Sequence, residues 1–403
     1  MTTLQALNIA PDELIHERFE EFNINGKKYF GNANDLETYD YQNYFNILAP
    51  QSLNANILQN ASGFIDFDIS GGSAVHKIDN AFLNIVVANS SSSAALVVPF
   101  TYWFSRIEII VDGATIEQIF NHNLMAFTML QTNEKIAVDA VAQGFNPTTF
   151  APDTTGIPAN STRSYQLEIH SAIQKLFIPT TNNLRIRCYF AGPTMMQSTS
   201  TATIANLTVV SANLYLQGRV FEDSVANMLK KRFREGMHLS RGICRRMQTI
   251  PLTSVSGSVF SQTLSAFTGH MLLYQFAMVP QGAQNESICP NNWKAFNWIT
   301  LQDSAGKPYG LSQIPQDLIR YSLMPSKYNT SSTTQVNFLE IDFCDNPVLC
   351  YESMVNRGDR DDDGKSRILV NPNYSGNIDL TILSLQESLV VQHPSGRVEF
   401  LLQ

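Results

Sequence analysis

The run of residues closest to a known ligand-binding pattern is acidic and covers positions 359–364, with the sequence DRDDDG. Asp at the first, third and fifth positions and Gly at the sixth are how a helix–loop–helix calcium loop begins. Such a loop has a bidentate Glu at its twelfth position, where this chain has Val370. We therefore predict a solvated acidic loop, with weak cation binding as the alternative. The overlapping tripeptide at 357–359, Arg-Gly-Asp, is a receptor motif that chance also produces often.

Histidine and cysteine form none of the catalytic or metal-binding arrangements that sequence motifs define. The seven histidines are scattered along the chain, at His16, His76, His122, His170, His238, His270 and His393. No HxE, HExxH or HxH arrangement occurs, and the sequence also contains no CxxC pair, no GxSxG turn and no glycine-rich phosphate loop. We predict no catalytic residue, no cofactor and no metal. The paired carboxylates of a glycoside hydrolase come together only in the fold, so that alternative stays open.

Composition predicts surfaces made for contact with other proteins. Of the 403 residues, 44% are apolar and only 15% are charged, with a net charge of −8. Globular proteins are on average about a quarter charged. A negative chain without a Lys/Arg-rich tail does not neutralise phosphates well, so we expect no specific nucleic-acid partner. The first 22 residues show no signal-peptide pattern, no run of 18 apolar residues could span a membrane, and the five cysteines suggest a reducing cytoplasm.

Two pairs of similar segments indicate that one unit is used twice. Residues 167–170 (LEIH) resemble 339–342 (LEID), and residues 206–211 (NLTVVS) resemble 379–384 (DLTILS). The members of these pairs lie 172 and 173 residues apart. Segments nearer the start of each copy match at a larger offset, near 190 residues. We therefore expect an insertion of about twenty residues in the first copy, in the loop at 143–162, because loops tolerate insertions.

Short segments of alternating apolar and polar residues predict half-buried strands in both copies. In the first copy they cover residues 64–69, 81–87, 102–111, a segment from 165, 184–190 and 205–216. In the second copy they cover residues 259–264, 271–279, 298–302, 335–343, 367–370, 378–385, 389–392 and 398–401. Helical spacing follows the fourth strand of each copy, at 116–130 and 311–323. The two tryptophans in or beside strands, Trp103 and Trp298, are expected in the core.

Two segments lie outside these strands. Residues 1–55 are predicted to be an N-terminal arm with a short helix at 12–22, which packs on its own domain or a neighbour. A membrane anchor is the alternative, although the acidic face disfavours it. Residues 221–247 are predicted to be a linker helix, because Glu222 and Asp223 suit a helix N-terminus and a basic run follows. A nucleic-acid patch is the alternative there, but no aromatic residues are interleaved.

These elements predict an all-β protein of two tandem eight-stranded antiparallel jelly rolls, with short helices in the loops and the linker helix between them. The first roll is expected at residues 56–220 and the second at 248–403. Few helices separate the strands, which excludes repeated βαβ units.

This organisation resembles the double jelly-roll major capsid proteins of tailless icosahedral DNA viruses, a lineage that includes bacteriophages, adenovirus-like viruses, virophages and large DNA viruses. Residues 98–108 (VPFTYWFSRIE), followed by Asp112-Gly113, resemble an aromatic-Arg-Ile-Glu strand and turn of the first roll in that lineage. Residues 340–347 (EIDFCDNP) resemble a strand followed by Asp-x-Pro in the second roll. The likeness in architecture covers residues 60–403, and the motifs themselves are short.

The resemblance implies a structural subunit without enzymatic activity. Three copies would form a pseudo-hexagonal homotrimer that tiles an icosahedral shell beside minor capsid or penton proteins. Loops such as 143–162 would project outward, and the N-terminal arm would lie near the inner face, against neighbours or an internal membrane. The protein would reside in the virion and be made and assembled in the host cytoplasm. The alternatives are a minor capsid or spike protein and a tandem jelly-roll protein that binds or hydrolyses glycans.

Overall fold

The computed structural model describes residues 21–24, 27–31, 39–72, 74–129, 131, 133–198, 204–254, 257–280, 288–309, 312–315, 338–342 and 360–402. Within these residues the protein consists mainly of antiparallel β-sheet. The strands, numbered along the chain, are β1 Glu21–Ile24, β2 Lys27–Gly31, β3 Tyr41–Leu48, β4 Phe64–Asp68, β5 Lys77–Asn89, β6 Phe104–Val111, β7 Ala114–Phe120, β8 Ser161–Glu168, β9 Arg185–Phe190, β10 Leu207–Phe221, β11 Met237–Ser254, β12 Phe260–Thr263, β13 Thr268–Pro280, β14 Phe296–Gln302, β15 Ile314–Pro315, β16 Phe338–Asp342, β17 Arg360–Asp363, β18 Arg367–Pro372, β19 Gly376–Gln392 and β20 Val398–Leu402.

The helices are short and lie between strands. They are α1 Ile69–Gly72, α2 Asn121–Met129, α3 Asn133–Gln143, α4 Pro193–Met196 and α5 Asp223–Glu235. Single 3-10 turns occur at Ile57–Gln59, Phe100–Trp103, Ala172–Lys175, Ile178–Thr180, Ile204–Asn206 and Pro290–Asn292.

The two halves of the chain repeat one sheet topology. In the first half the sheets have the orders β3-β10-β5-β8 and β4-β9-β6-β7. In the second half the orders are β11-β19-β13-β16 and β12-β18-β14-β15, with β17, β20, β1 and β2 as additions to the first of these sheets. Each half places its first strand beside its last, and all pairs within these eight-strand sets are antiparallel. The prediction of two tandem eight-stranded jelly rolls is confirmed.

Alternation of side chains along the strands builds the core of each roll. On β5, Ala81, Leu83, Ile85 and Val87 are fully buried, and the residues between them are partly exposed. On β14 of the second roll, Ile299 and Leu301 are equally buried. A fully buried Leu, Ile or Val side chain contributes about 1.5–3 kcal/mol relative to an exposed one, and the buried residues of the two rolls form one continuous apolar cluster.

The first strand of each roll is the element that the sequence did not predict. Strand β3 lies inside the predicted arm, yet all eight of its residues pair with β10. Strand β11 begins at Met237, whereas the linker helix was predicted to continue to residue 247. Helix α5 ends at Glu235, because Gly236 is extended and β11 then pairs with β19 from His238 to Ser254. The predicted helix was therefore too long, because the basic run continues into a strand.

Three further predictions need correction. The helical spacing at 116–130 begins as strand β7, which forms a hairpin with β6 through the turn at Asp112-Gly113, and only then becomes α2. In the second copy, Ile314–Pro315 also pairs as a strand, with β14, and residues 316–323 lie outside the described part. The two strands predicted at 378–392 form one continuous strand, β19.

The acidic segment at 359–364 is a strand where it is described, because Arg360–Asp363 pairs with β13. A loop was predicted there. The tripeptide at 357–359 and residues 12–20 of the predicted arm helix lie outside the described residues. The helix prediction was wrong at its end, because Glu21 and Phe22 are in strand β1.

Strand register defines two ends of the molecule. At one end Tyr41 pairs with Phe221, directly before α5. At the other end, Ser161 pairs with Asn89 and Asn89 with Leu207, so the loop that precedes β8 lies there. Since β10 has 15 residues and a strand rises about 3.3 Å per residue, the ends are about 50 Å apart. We call them the α5 end and the loop end.

Candidate functional site: the joint between the rolls and an exposed strand

Gln392 joins the two rolls at the α5 end. It is the last residue of β19 and is buried. Its side-chain carbonyl accepts from the backbone N–H of Phe177 at 3.1 Å. Its Nε2 lies 2.9 Å from the carbonyl oxygen of Phe177 and from the hydroxyl oxygens of Thr180 and Thr181. One amide of the second roll thus lies within hydrogen-bond distance of four polar groups of a first-roll loop, which holds the two rolls in register.

The turn after β19 adds backbone contacts beside this amide. The backbone N–H of Asn182 donates to the carbonyl of Gly396 at 3.1 Å. The Asn182 side chain donates to the carbonyl of Ser395 at 2.6 Å. A side chain at position 396 would collide with Asn182, and Gly396 has a φ of +84°, so this close approach requires glycine.

Arg245 of β11 inserts into the first roll further along the joint. Its guanidinium donates to the carbonyl of His170, lies 5.1 Å from the ring centroid of Phe127, and has Nη1 3.6 Å from Oε1 of Glu117. The Arg245 and Glu117 side chains are only 2% and 4% exposed. Glu117 also accepts from the backbone N–H of Ala172 at 2.9 Å. A buried charge of the second roll is thus neutralised by the first, so separating the rolls would leave both charges without compensation.

Helix α2 packs against the second roll on the same side of the joint. Phe127 and Ala126 line a small cavity together with Leu273 and Leu385 on the large sheet of the second roll. The ring of His122 lies 6.2 Å from that of Trp293 in the second roll and 5.6 Å from Tyr102 in the first. Helix α2, which lies in the loop between β7 and β8, therefore serves as a spacer between the rolls.

A cleft of about 360 Å³ remains where β7 of the first roll faces β11 of the second. Glu117, Arg245 and Cys244 line it together with apolar side chains such as Ile116 and Phe400. Burial raises the pKa of the Cys244 thiol, aided by the charge of Glu117, so the thiol stays protonated and is a poor nucleophile. Burial also raises the pKa of Glu117, against the attraction of Arg245. Within the cleft, Glu117 and Arg245 form a contact between the rolls.

Helix α5 connects the rolls across the α5 end. Leu229 and Phe233 pack with Phe177 and Phe221 of the first roll. The ring of Phe233 stacks on that of His238 at the start of β11, with 3.6 Å between centroids. Burial lowers the pKa of His238 to about 3. The linker is thus anchored by an aromatic cluster with a neutral imidazole.

Strand β3 exposes apolar side chains on the outside of the first roll. Phe45 is 67% exposed and Ile47 is 61% exposed, and Tyr41 and Tyr44 are each more than two-fifths exposed. Register places Ile47 opposite Tyr215 on β10. Since β3 is an edge strand of its four-stranded sheet, its other backbone edge faces away from β10. Exposed apolar edge strands favour association with another chain.

Two of the histidines lie beside carboxylates. His170 lies 3.6 Å from Glu168, which Lys135 also contacts at 2.8 Å. His393 lies in the turn after β19, 3.3 Å from Glu399. His16 lies outside the described residues. Within the described residues no three His, Cys, Asp or Glu side chains converge as metal ligands would, and no helix is both long and apolar enough to cross a bilayer.

Comparison with known proteins gives structural relatives only. No protein-family model and no curated protein matches the sequence. The fold is similar to VP54 of PBCV-1, in a structure fitted into a reconstruction of the virophage Sputnik, with 8% identity, 90% of this chain and 97% of that chain covered, and a TM-score of 0.65. It is similar to the Faustovirus major capsid protein, with 9% identity, 91% of each chain covered and a TM-score of 0.62. The mavirus major capsid protein aligns over 98% of this chain and 94% of its own, with 9% identity and a TM-score of 0.50. At these identities the likeness establishes the fold.

Proposed function

We propose that this protein is the structural subunit of an icosahedral viral capsid. The observation that carries the proposal is the joint: two rolls of identical topology are held side by side by buried contacts such as Gln392 with Phe177 and Arg245 with Glu117. A rigid pair of rolls has the form of a tile. The structural relatives whose chains align nearly end to end with this one are major capsid proteins.

The assembly we propose is a homotrimer with a pseudo-hexagonal outline. Three copies with two rolls each give six similar sandwiches around one axis, which suits a six-sided tile. The exposed strand β3, with Phe45 and Ile47, supplies an apolar surface for contact between copies. Trimers would then contact neighbouring trimers laterally and minor capsid or penton proteins at special positions of the shell. No bond is made or broken, so the protein has no enzymatic role.

We further propose which end faces inward. The N-terminal hairpin of β1 and β2 pairs with β11 at Met237–Leu239, directly after α5. The N-terminal arm is therefore tethered at the α5 end, and this end faces the interior, against neighbours or an internal membrane. The loop end, with residues 144–160, faces outward. Specific nucleic-acid binding is not part of this function, and the protein resides in the virion after assembly in the host cytoplasm.

The division of the chain follows from the same proposal. The rolls correspond to the predicted domains 56–220 and 248–403, with the first strand of each, β3 and β11, added to its N-terminal side. Residues 1–40 form the arm, and α5 is the linker.

Electron microscopy of the purified protein tests the proposal. The protein is concentrated across a series of salt concentrations and pH values and imaged in vitreous ice. We expect closed shells or flat sheets with hexagonal packing, built from six-lobed units. Single elongated particles under every condition, with no ordered contacts between them, would contradict the proposal.

A further inference from the structure

Helix α5 presents a basic, partly apolar stripe to solvent. Its buried face, Ala226, Leu229 and Phe233, packs on the first roll. The opposite face carries Met228, which is 45% exposed, and Lys231, whose side chain is 81% exposed, followed by Arg234. These residues are spaced by three positions, so they line one side of the helix.

The positive charge of this stripe is only partly compensated. Lys231 lies 3.9 Å from Glu235, and both side chains are exposed, so this contact contributes little. Among the described residues, no carboxylate lies within 4.0 Å of Lys230 or Arg234. The four basic residues of the helix, Lys230, Lys231, Arg232 and Arg234, all fall in its second half.

An acidic segment of the same chain is tethered next to this stripe. Strand β1 begins at Glu21, which pairs with Phe30, and Phe30 pairs with His238 of β11, three residues after the end of α5. Neighbouring strands lie about 4.8 Å apart, so Glu21 is about 10 Å from His238. The chain that precedes Glu21 therefore begins about 10 Å from His238, which lies three residues beyond the end of α5.

The composition of that segment is complementary to the stripe. Residues 11–20 (PDELIHERFE) carry four acidic side chains, Asp12, Glu13, Glu17 and Glu20, against one basic side chain, Arg18. They also carry Leu14, Ile15 and Phe19, which suit contact with Met228. Ten residues reach up to about 33 Å when extended, more than the length of about 20 Å of the 13-residue helix.

We propose that residues 11–20 dock onto the exposed face of α5 in the same copy of the chain. Carboxylates of the segment pair with Lys230, Lys231 and Arg234, and its apolar residues cover Met228. The docked segment neutralises the basic charge at the α5 end. This inference concerns contacts within one chain, and it does not depend on capsid assembly.

Zero-length coupling of carboxylates to amines on the full-length protein tests the proposal. A carbodiimide joins a Glu to a Lys only when the two side chains are in contact. We expect peptides that link Glu13, Glu17 or Glu20 to Lys230 or Lys231. Mixing unlabelled protein with nitrogen-15-labelled protein before coupling identifies the copy, and the linked peptides should carry one label throughout. Linked peptides in which labelled and unlabelled halves are combined at random would overturn the assignment to the same chain.

Hydrogen exchange of the segment gives a second, independent readout. We expect the amides of residues 11–20 to exchange about tenfold slower than in the isolated peptide. The double charge reversal Lys231→Glu with Arg234→Glu should remove this protection, and the further reversal of Glu13→Lys with Glu17→Lys should restore it. Lys307→Glu, in an exposed turn of the second roll, is the matched control and should have no effect. Exchange at the rate of the free peptide, or protection that survives the reversal at α5, would overturn the proposal.

Discussion

Trp103 and Trp293 make the same hydrogen bond in the two rolls, 190 residues apart. The indole N–H of Trp103 donates to the carbonyl of Val98 at 2.9 Å, and that of Trp293 donates to the carbonyl of Ile288 at 3.0 Å. Both bonds span five residues and close a 3-10 turn that leads into a strand, β6 or β14. A tryptophan that closes its own turn stabilises the same corner in each sandwich. The rolls therefore share local geometry as well as strand order.

Removing the joint amide should weaken the contact between the rolls. We expect Gln392→Leu to lower the free energy of unfolding by about 2–3 kcal/mol, because the buried N–H of Phe177 loses its acceptor and the hydroxyls of Thr180 and Thr181 lose a donor at 2.9 Å. Urea denaturation followed by tryptophan fluorescence measures this change.

The matched control is Gln386→Leu, on the same strand and equally buried. The Gln386 carbonyl oxygen has no hydrogen-bond partner, and its Nε2 donates only to the sulfur of Met271. We expect a change of about 1 kcal/mol or less, of either sign, since removal of a poorly satisfied amide costs little. Equal losses from the two substitutions would contradict the role assigned to Gln392.

The buried ion pair of the joint should behave non-additively. Arg245→Met alone should cost about 3–5 kcal/mol, because Glu117 is left buried without its partner. The double variant with Glu117→Leu should be more stable than the single arginine variant, although it carries one change more. A double-mutant cycle by urea denaturation at pH 7 measures the coupling. Strictly additive losses would show that the two side chains act independently.

Acid should destabilise the protein over a defined range. Burial lowers the pKa of His122 to about 4 from an ordinary 6.5, so below pH 6.5 the unfolded chain takes up a proton that the folded chain excludes. Burial opposes ionisation of Glu168, yet His170 at 3.6 Å and Lys135 at 2.8 Å lower its pKa to about 2 from 4.5. Its stabilising effect is present above pH 4.5 and is lost as the pH falls toward 2.

Replacing the histidine isolates its share of this acid sensitivity. We expect His122→Phe to retain about 3 kcal/mol more of its pH 7 stability than the natural chain does when both are measured at pH 4. Thermal denaturation at half-unit steps of pH provides the comparison. Parallel stability curves for the two proteins would contradict the buried, neutral state of His122.

The exposed apolar strand should control association between copies. We expect Phe45→Asp combined with Ile47→Asp to reduce the oligomer to single chains, because charges replace the apolar contact area that holds copies together. Val259→Asp is the control, since Val259 is 53% exposed but lies before β12 in the second roll. Sedimentation velocity measures the size of the oligomer formed by the β3 variant and by the Val259→Asp control. Equal dissociation by both variants, or by neither, would remove β3 from the interface.

The sequence predicted the fold where alternation and repetition were strong. Strands such as β5 and β14 alternate apolar and polar residues, and the offset near 190 that related the early segments also relates Trp103 to Trp293. The alternation and the repeat together were sufficient to predict two tandem jelly rolls.

The first strand of each roll, β3 and β11, was not predicted, and the physical reason is the same for both. Strand β3 is exposed on both faces except at Asn46, which is half-buried, and Leu48, which is buried, so its sequence lacks an alternating pattern. Strand β11 carries Arg241, Arg245 and Arg246, which resemble the basic end of a helix. Edge strands and strands at a joint are defined by their partners, and a single sequence does not reveal those partners.

The joint itself was not predicted. Gln392 and Arg245 lie far from their partners in the chain, 215 residues from Phe177 in one case and 75 from His170 in the other. The only local signal is polarity in a buried strand, where Ser384, Gln386 and Ser388 interrupt the apolar pattern of β19. Such a run indicates that a strand faces polar partners, although it does not identify them.

The solution mass of the purified protein tests the central claim most directly. Multi-angle light scattering after gel filtration, at physiological salt, measures it without a standard curve. A capsid tile of three chains of 45.0 kDa predicts a single species of about 135 kDa, with a six-lobed outline in negative stain. A single species of 45 kDa at all accessible concentrations would contradict the account, because one copy alone does not tile a shell.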